Sequence, residues 1–284
     1  MSYKKLIPFI NGENELAANV VTMAEDYCFA GADELFLYNY SKITEEREEF
    51  LATLKEIDKK IDIPFIVGMY AARFEDVKKA SKLIRWNGFT LGHQMMVGLP
   101  ESSRADEINT AKALVKLKPK MVRIYPVLVV KNTKLEQEYE NGTYEPLSVV
   151  QAVEICKELV RIFDEKNINV IRVGLQNTEE ISDPKNSKSE VVAGPYHPAF
   201  RQLVESGMWY DAIVSKIKKL NVKAKKVEVT VNPIDINNVI GHKKENVIKL
   251  NELYNVDLIV KQDKNIKQGK SKICLLYTSD AADE

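Results

Sequence analysis

Short apolar runs alternate with amphipathic stretches along the first two thirds of the chain. "KLIPFI", "ELFLYNY", "IPFIVG", "FTLGHQMMVG", "MVRIYPVLV" and "INVIRVG" have the length and β-branched or aromatic content of buried strands. Between them, apolar residues recur at three- and four-residue spacing, which predicts helices around Ala17–Ala30, Thr44–Lys60, Glu75–Trp86, Asp106–Lys116 and Ser148–Lys166. Regular repetition of strand and helix means parallel strands joined by crossover helices. Six such units are too few for the eight-stranded barrel but suit a smaller or partly open one. The expected class is therefore α/β, with a parallel (β/α)6-type partial TIM-like barrel. After "GPYHPAFRQLVESGMWYDAIVSKI" the pattern changes. The lysine-rich "KIKKLNVKAKK" reads as a linker over residues 216–225, and a β-α-α-β pattern over 226–273 reads as a separate small α+β domain.

Composition narrows the picture. At 284 residues with 45% hydrophobic content, the chain can bury one barrel-sized core and a smaller one. Forty-one basic side chains balance 41 acidic ones, which argues against a chain that coats nucleic acid along its whole length. The balance is uneven, because Lys216–Lys272 holds 14 lysines against 6 acidic residues. A basic C-terminal module with RNA as a possible partner follows from that excess. No apolar run approaches the ~18 residues of a membrane span, and "MSYKKLIPFINGE" has no leader-like apolar core, so a cytoplasmic protein without a membrane partner is expected. Cys28, Cys156 and Cys274 are too far apart for a zinc or redox motif, and Cys28 and Cys156 sit in apolar helical patterns as buried thiols would. His93, His197 and His242 are too scattered for a metal site, and His197 between two prolines reads as a structural hydrogen-bonder. In "TEEREEF", Thr44 is the expected helix cap.

Three spans resemble known families. In residues 1–80, "YKKLIPFINGENE", "GADELFLYNYS" and "IDIPFIVGMYAARFEDVKKA" resemble the opening units of the histidine-biosynthesis barrels, especially the cyclase subunit of imidazole glycerol phosphate synthase. That resemblance implies a catalytic aspartate at the end of the first strand, where this chain has Asn11. An amide cannot take up a proton at neutral pH, so acid–base work there is not expected. The family's glycine-rich phosphate turn is reduced to "GMYA".

Over roughly 80–215, "GFTLGHQMMVGLPESS", "KPKMVRIYPVLVVKNTKLEQEYENGTYEPLS" with "AVEICKELV", and "VVAGPYHPAFRQLVES" resemble the C-terminal half of a radical S-adenosylmethionine (SAM) protein. The protein it resembles is of the elongator-like, oxygen-independent coproporphyrinogen-oxidase-like group. The resemblance implies that strand ends present Gln94, Arg123, Tyr125 and Gln176 to SAM or substrate, while the residues alone equally allow polar side chains bonding one another in a wet core. The radical parent would use SAM and a 4Fe-4S cluster held by a Cys-x-x-x-Cys-x-x-Cys loop. Here the loop after the first strand, "NGENELAANV", has no cysteine, so no catalytic residue and no cofactor are expected in this chain.

The third span, about 226–262, is similar to a KH domain, in which a Gly-x-x-Gly turn clamps a nucleic-acid backbone. Gly241, His242, Lys243 and Lys244 occupy that turn, with lysine replacing the second glycine, and they are the candidate RNA-binding residues. Residues 274–284, "CLLYTSDAADE", resemble translated sequencing adapter. Together these resemblances imply a chimeric, cluster-less and catalytically silent chain joined near residue 80. A cyclase or isomerase acting on a phosphorylated sugar, and an RNA-binding protein using the KH-like module, are the alternatives.

Overall fold

The structure, a computed structural model, describes residues 6–12, 17–41, 43–69, 74–220 and 225–276. It consists of two compact units, residues 1–91 and 92–284.

In the first unit, strand and helix alternate as β1 (Phe9–Asn11), α1 (Ala17–Phe29), β2 (Leu35–Asn39), α2 (Thr44–Lys60), β3 (Phe65–Met69) and α3 (Phe74–Trp86). The strands pair in parallel in the order β1-β2-β3, which the intervening helices make possible as crossovers. Residue alternation gives the sheet two unlike faces. Leu35 and Leu37 of β2 are buried in one cluster with Val20, Val21 and Ala24 of α1 and Phe50, Leu51, Leu54 and Ile57 of α2. On the other face, Phe9, Phe36, Tyr38 and Tyr40 form a run of ring contacts at centroid distances of 5.5, 6.2 and 4.3 Å. Helix α2 carries Glu45 and Glu46 in its first turn and Lys59 and Lys60 in its last, as the helix dipole favours. Its N-cap position is held by Ile43, not by Thr44, which is already helical. Asn11 ends β1, while part of the loop after it (13–16) and residues 70–71 of "GMYA" lie outside the described residues.

The second unit runs β4 (Gly92–Val97), α4 (Arg104–Lys116), β5 (Met121–Pro126), β6 (Val129–Val130), α5 (Lys134–Glu140), α6 (Val149–Asp164), β7 (Asn169–Val173), β8 (Val191–Ala193) and α7 (Phe200–Leu220). It continues with β9 (Lys226–Val231), α8 (Ile236–Ile240), α9 (Glu245–Tyr254), β10 (Asp257–Gln262) and β11 (Ser271–Leu276). Strands β4, β5 and β7 form a parallel sheet, with α4, α6 and α7 packed beside them. All six expected strands are thus present, as one three-stranded parallel sheet in each unit. Helices α4 and α6 begin with reciprocal capping boxes, Ser103 with Asp106 and Ser148 with Gln151, each such cap contributing about 1 kcal/mol.

The turn after β4 is pinned from below. Glu107, 4% exposed, accepts hydrogen bonds from the Gly98 N–H (2.8 Å) and the Ser102 hydroxyl (3.0 Å), while the Tyr144 hydroxyl donates to the Gly98 carbonyl at 2.7 Å. A buried carboxylate kept by two donors fixes the "GLPES" turn in place.

The basic stretch starting at residue 216 is helical through Leu220, as the end of α7, with 221–224 outside the described residues. The physical reason is the spacing of Ile213, Val214 and Ile217, which are buried while Lys216, Lys218 and Lys219 point to solvent. Those three apolar residues share one core with Val227, Val229, Val231, Val239, Leu250 and Val256 of the C-terminal module. In that module β9 is central, parallel to β10 and antiparallel to β11. β11 extends through Leu276, so residues 274–276 pair with β9 and the module continues past residue 273, while 277–284 lie outside the described residues.

Candidate functional site

The sheet β4-β5-β7 has one face toward α4, α6 and α7 and a second face opposite it. Met95, Val97, Val122, Ile124, Val170 and Val173 are buried. Alternation then places Gln94 and Met96, and Arg123 and Tyr125, on the opposite face. The register makes Gln94 the neighbour of Arg123 and Met96 the neighbour of Tyr125. Gln176 lies three residues beyond β7 and accepts a hydrogen bond from the Arg172 guanidinium at 2.9 Å. Arg172 is in turn the register partner of Arg123. The row Gln94, Arg123, Arg172 therefore gathers two of the four residues expected from sequence, with Gln176 attached through Arg172 and Tyr125 two residues further along β5.

Arg172 was not legible as a site residue. The register shifts between Val122 and Arg123, so that Val122 pairs with Val170 but Arg123 with Arg172. A bulge of this kind breaks the two-residue alternation from which facing is inferred.

Beside the strand ends, Pro126, Leu128, Gly174, Leu175, Pro195, Tyr196, His197 and Phe200 line an open cleft of about 230 Å³. The His197 Nδ1 accepts the Ala199 N–H at 3.0 Å, the structural role its flanking prolines suggested. Burial, with the charges of His242 and Lys243, pushes the His197 imidazole below its ordinary pKa.

The turn Gly241–Lys244 joins α8 to α9, and His242 meets His197 edge to face at 5.1 Å. Lys243 and Lys244 are exposed and both adopt left-handed backbone, with φ of 51° and 65°. Gly241 is buried, at φ 86° and ψ 159°, a region that only glycine occupies readily. A Cβ on it would stand 2.8 Å from the Asn246 backbone nitrogen. Asn246 itself is buried and donates to the Ser206 and Val239 carbonyls at 2.9 and 3.1 Å. The first glycine of the turn thus has a structural reason to be glycine. Gly241→Ala is expected to destabilise the second unit by about 1–3 kcal/mol, read as a lowered urea midpoint with unchanged slope. An unchanged midpoint would contradict the strained geometry.

The cysteines do not fit an iron–sulfur cluster. Cys28 is half-buried on α1, Cys156 is buried on α6 and Cys274 is exposed on β11. Burial, reinforced by the charge of Glu107, pushes the Cys156 thiol up to about 12, whereas cluster ligation requires thiolate. Among the described residues, no group of three or more His, Cys, Asp or Glu side chains is placed to hold a metal ion. In the native protein near pH 8, Cys274 is expected to alkylate readily and Cys156 only on unfolding. Peptide mapping after iodoacetamide checks this, and labelling of Cys156 at a rate like that of Cys274 would contradict its burial.

No described helix is long and apolar enough to cross a membrane. A family model described as the Radical SAM C-terminal domain matches residues 119–210. A tRNA uridine(34) acetyltransferase of Methanocaldococcus jannaschii is 33% identical over 84 residues, which cover 28% of this chain and 16% of that protein. An uncharacterized protein of the same organism is 38% identical over 80 residues, 28% of this chain and 25% of that one. The chain therefore spans only 16% and 25% of the length of these curated relatives. Among solved structures, an N-terminally deleted archaeal Elp3 of Methanocaldococcus infernus aligns with a TM-score of 0.43 and 15% identity, covering 76% of this chain and 64% of that one. Dihydrodipicolinate synthase of Bacillus anthracis aligns with a TM-score of 0.37 and 11% identity, covering 78% of each chain. None of these matches is to a histidine-biosynthesis cyclase. What the chain resembles in part is the C-terminal region of Elp3-like radical SAM proteins, including tRNA uridine acetyltransferases.

Proposed function

We propose that residues 92–276 are the C-terminal region of an Elp3-like radical SAM protein that acts on RNA. In this reading the sheet β4-β5-β7 turns Gln94, Arg123, Tyr125 and Gln176 toward SAM or substrate, and the basic C-terminal module holds RNA backbone. The observation that carries it is the family match over 119–210, which falls on the strand bearing Arg123 and Tyr125 and on the loop bearing Gln176. RNA as partner draws on the relatives described as tRNA uridine(34) acetyltransferases and on the exposed Lys243 and Lys244 at the α8–α9 turn. The cysteines of this chain do not supply a cluster, so on its own it is catalytically silent. For residues 1–80, the resemblance to a histidine-biosynthesis barrel goes with Asn11 at the end of β1, where an amide cannot do acid–base work. A natural joint between the segments is tested by amplifying and sequencing source DNA across codons 60–100; failure to span them rejects it.

The RNA reading is tested by filter binding of a tRNA transcript between about 50 and about 200 mM salt. Affinity is expected to fall steeply with salt. In Lys243→Gln/Lys244→Gln the slope of log affinity on log salt is expected to shrink by about 1 for each phosphate-binding lysine removed. Salt-independent binding, or none at the lowest salt, rejects the RNA reading.

A further inference from the structure

Five arginines lie in the second unit, and three of them are neutralised by carboxylates. Arg104 pairs with Glu158 at 2.8 Å, Arg201 with Glu205 at 2.7 Å, and Arg161 with Asp211. Arg123 and Arg172 differ. Among the described residues neither has a carboxylate partner: Arg172 donates to the neutral Gln176 amide oxygen at 2.9 Å, and the Arg123 side chain has neither a hydrogen bond nor an ion pair.

The two are also placed together by the register. Val122 and Ile124 of β5 pair with Val170 and Val173 of β7, all four buried, so the bulged residues Ile171 and Arg172 share the place opposite Arg123. Like charges directly across a pair of strands destabilise a sheet, and both arginines are half-buried, where water screens them less. A unit that pairs its other three arginines but sets these two side by side on one face of a parallel sheet has the electrostatics of an anion site.

We propose that Arg123 and Arg172 together bind a phosphate monoester group of a small-molecule ligand, with the side chain of Gln94 beside Arg123 in the same row as a further polar contact. Charge selects phosphate over carboxylate. A phosphate monoester carries about −1.5 to −2 at neutral pH, enough for both guanidinium groups, whereas a carboxylate would leave one uncompensated. Each guanidinium offers a planar fork of N–H donors that matches oxyanion geometry. The phosphate turns a cross-strand repulsion into two attractions. This site rests on the reading that Gln94 and Arg123 of this face meet substrate, and on the sheet register; it does not depend on RNA contact at Lys243 and Lys244.

The test is isothermal titration of the full chain with inorganic phosphate near pH 7.5, ionic strength being held constant with chloride. Saturable binding is expected, weakened at least about tenfold by Arg123→Gln and by Arg172→Gln and left intact by Lys243→Gln. Arg123→Lys keeps the charge but not the fork and is expected to fall between. If either glutamine variant loses its far-UV circular dichroism, Arg123→Lys and Arg172→Lys carry the test, and each must weaken binding. No saturable binding, binding undiminished in the arginine variants, or acetate binding as tightly as phosphate would each overturn the assignment.

Discussion

Asp211→Ala is expected to lower the stability of the second unit by about 2–4 kcal/mol. Lys157, with a side chain 6% exposed, reaches Asp211 at 2.9 Å and Glu154 at 2.8 Å, and Arg161 closes on Asp211 from the same helix α6. The lysine stem passes over Gly207, one turn before Asp211 on α7, where a Cβ would stand 2.7 Å from its Cδ. Stripping a partner from a buried charge typically costs about 3–5 kcal/mol; the figure here is reduced to about 2–4 because Glu154, half exposed, still compensates Lys157. Burial by itself pushes the Asp211 carboxyl up, but the hydrogen bonds from Arg161 and Lys157 and their charges outweigh it and hold its pKa below the ordinary 3.8. A carboxylate with a depressed folded pKa stabilises fully above its unfolded value and loses that contribution as pH falls through the folded one. Urea melts at neutral pH and near pH 3 therefore make the check. The wild type is expected to lose stability on the acid side through this group, and the variant to lack that component while being weaker at neutral pH. An unchanged neutral-pH midpoint would mean that Lys157 is satisfied without Asp211.

Local periodicity carried most of the secondary structure. Thr44–Lys60 forms the helix that its spacing predicts, to the residue, and the six apolar runs all contain strands. What local pattern could not show was pairing that depends on partners far along the chain. The short β6 exists because Val129 and Val130 meet Ala193 and Val191, some sixty residues on, and neither strand is long enough to announce itself. The lysines from 216 onward read as a linker because charge density hid the apolar stripe of Ile213, Val214 and Ile217. The candidate face was half legible. Gln94 and Arg123 are neighbours as strand parity implied, but the bulge that brings Arg172 opposite Arg123 cannot be seen in one strand alone. Gly241 shows the converse: a glycine that suggested close approach to a nucleic-acid backbone is also required by its own φ of 86° and by the packing of Asn246.

Ile213→Ala is expected to cost about 2–5 kcal/mol, the range for truncating a fully buried aliphatic side chain whose cavity closes only in part. Ile213 is 0% exposed and belongs to the core built from Val227, Val229 and Val231 of β9, Val239 of α8 and Leu250 of α9. Two residues earlier on the same helix, Asp211 holds α7 to Lys157 and Arg161 of α6. One uninterrupted helix of 21 residues thus serves two cores at once. Such sharing makes the C-terminal module and the β4-β5-β7 layer unfold together, since α7 cannot leave one without exposing its other face. Native-state hydrogen exchange on Ile213→Ala reads this directly. Amides of β9 and of α6 are expected to lose protection by the same amount. Loss confined to β9, β10 and β11 would show that the module opens alone and that α7 only tethers it.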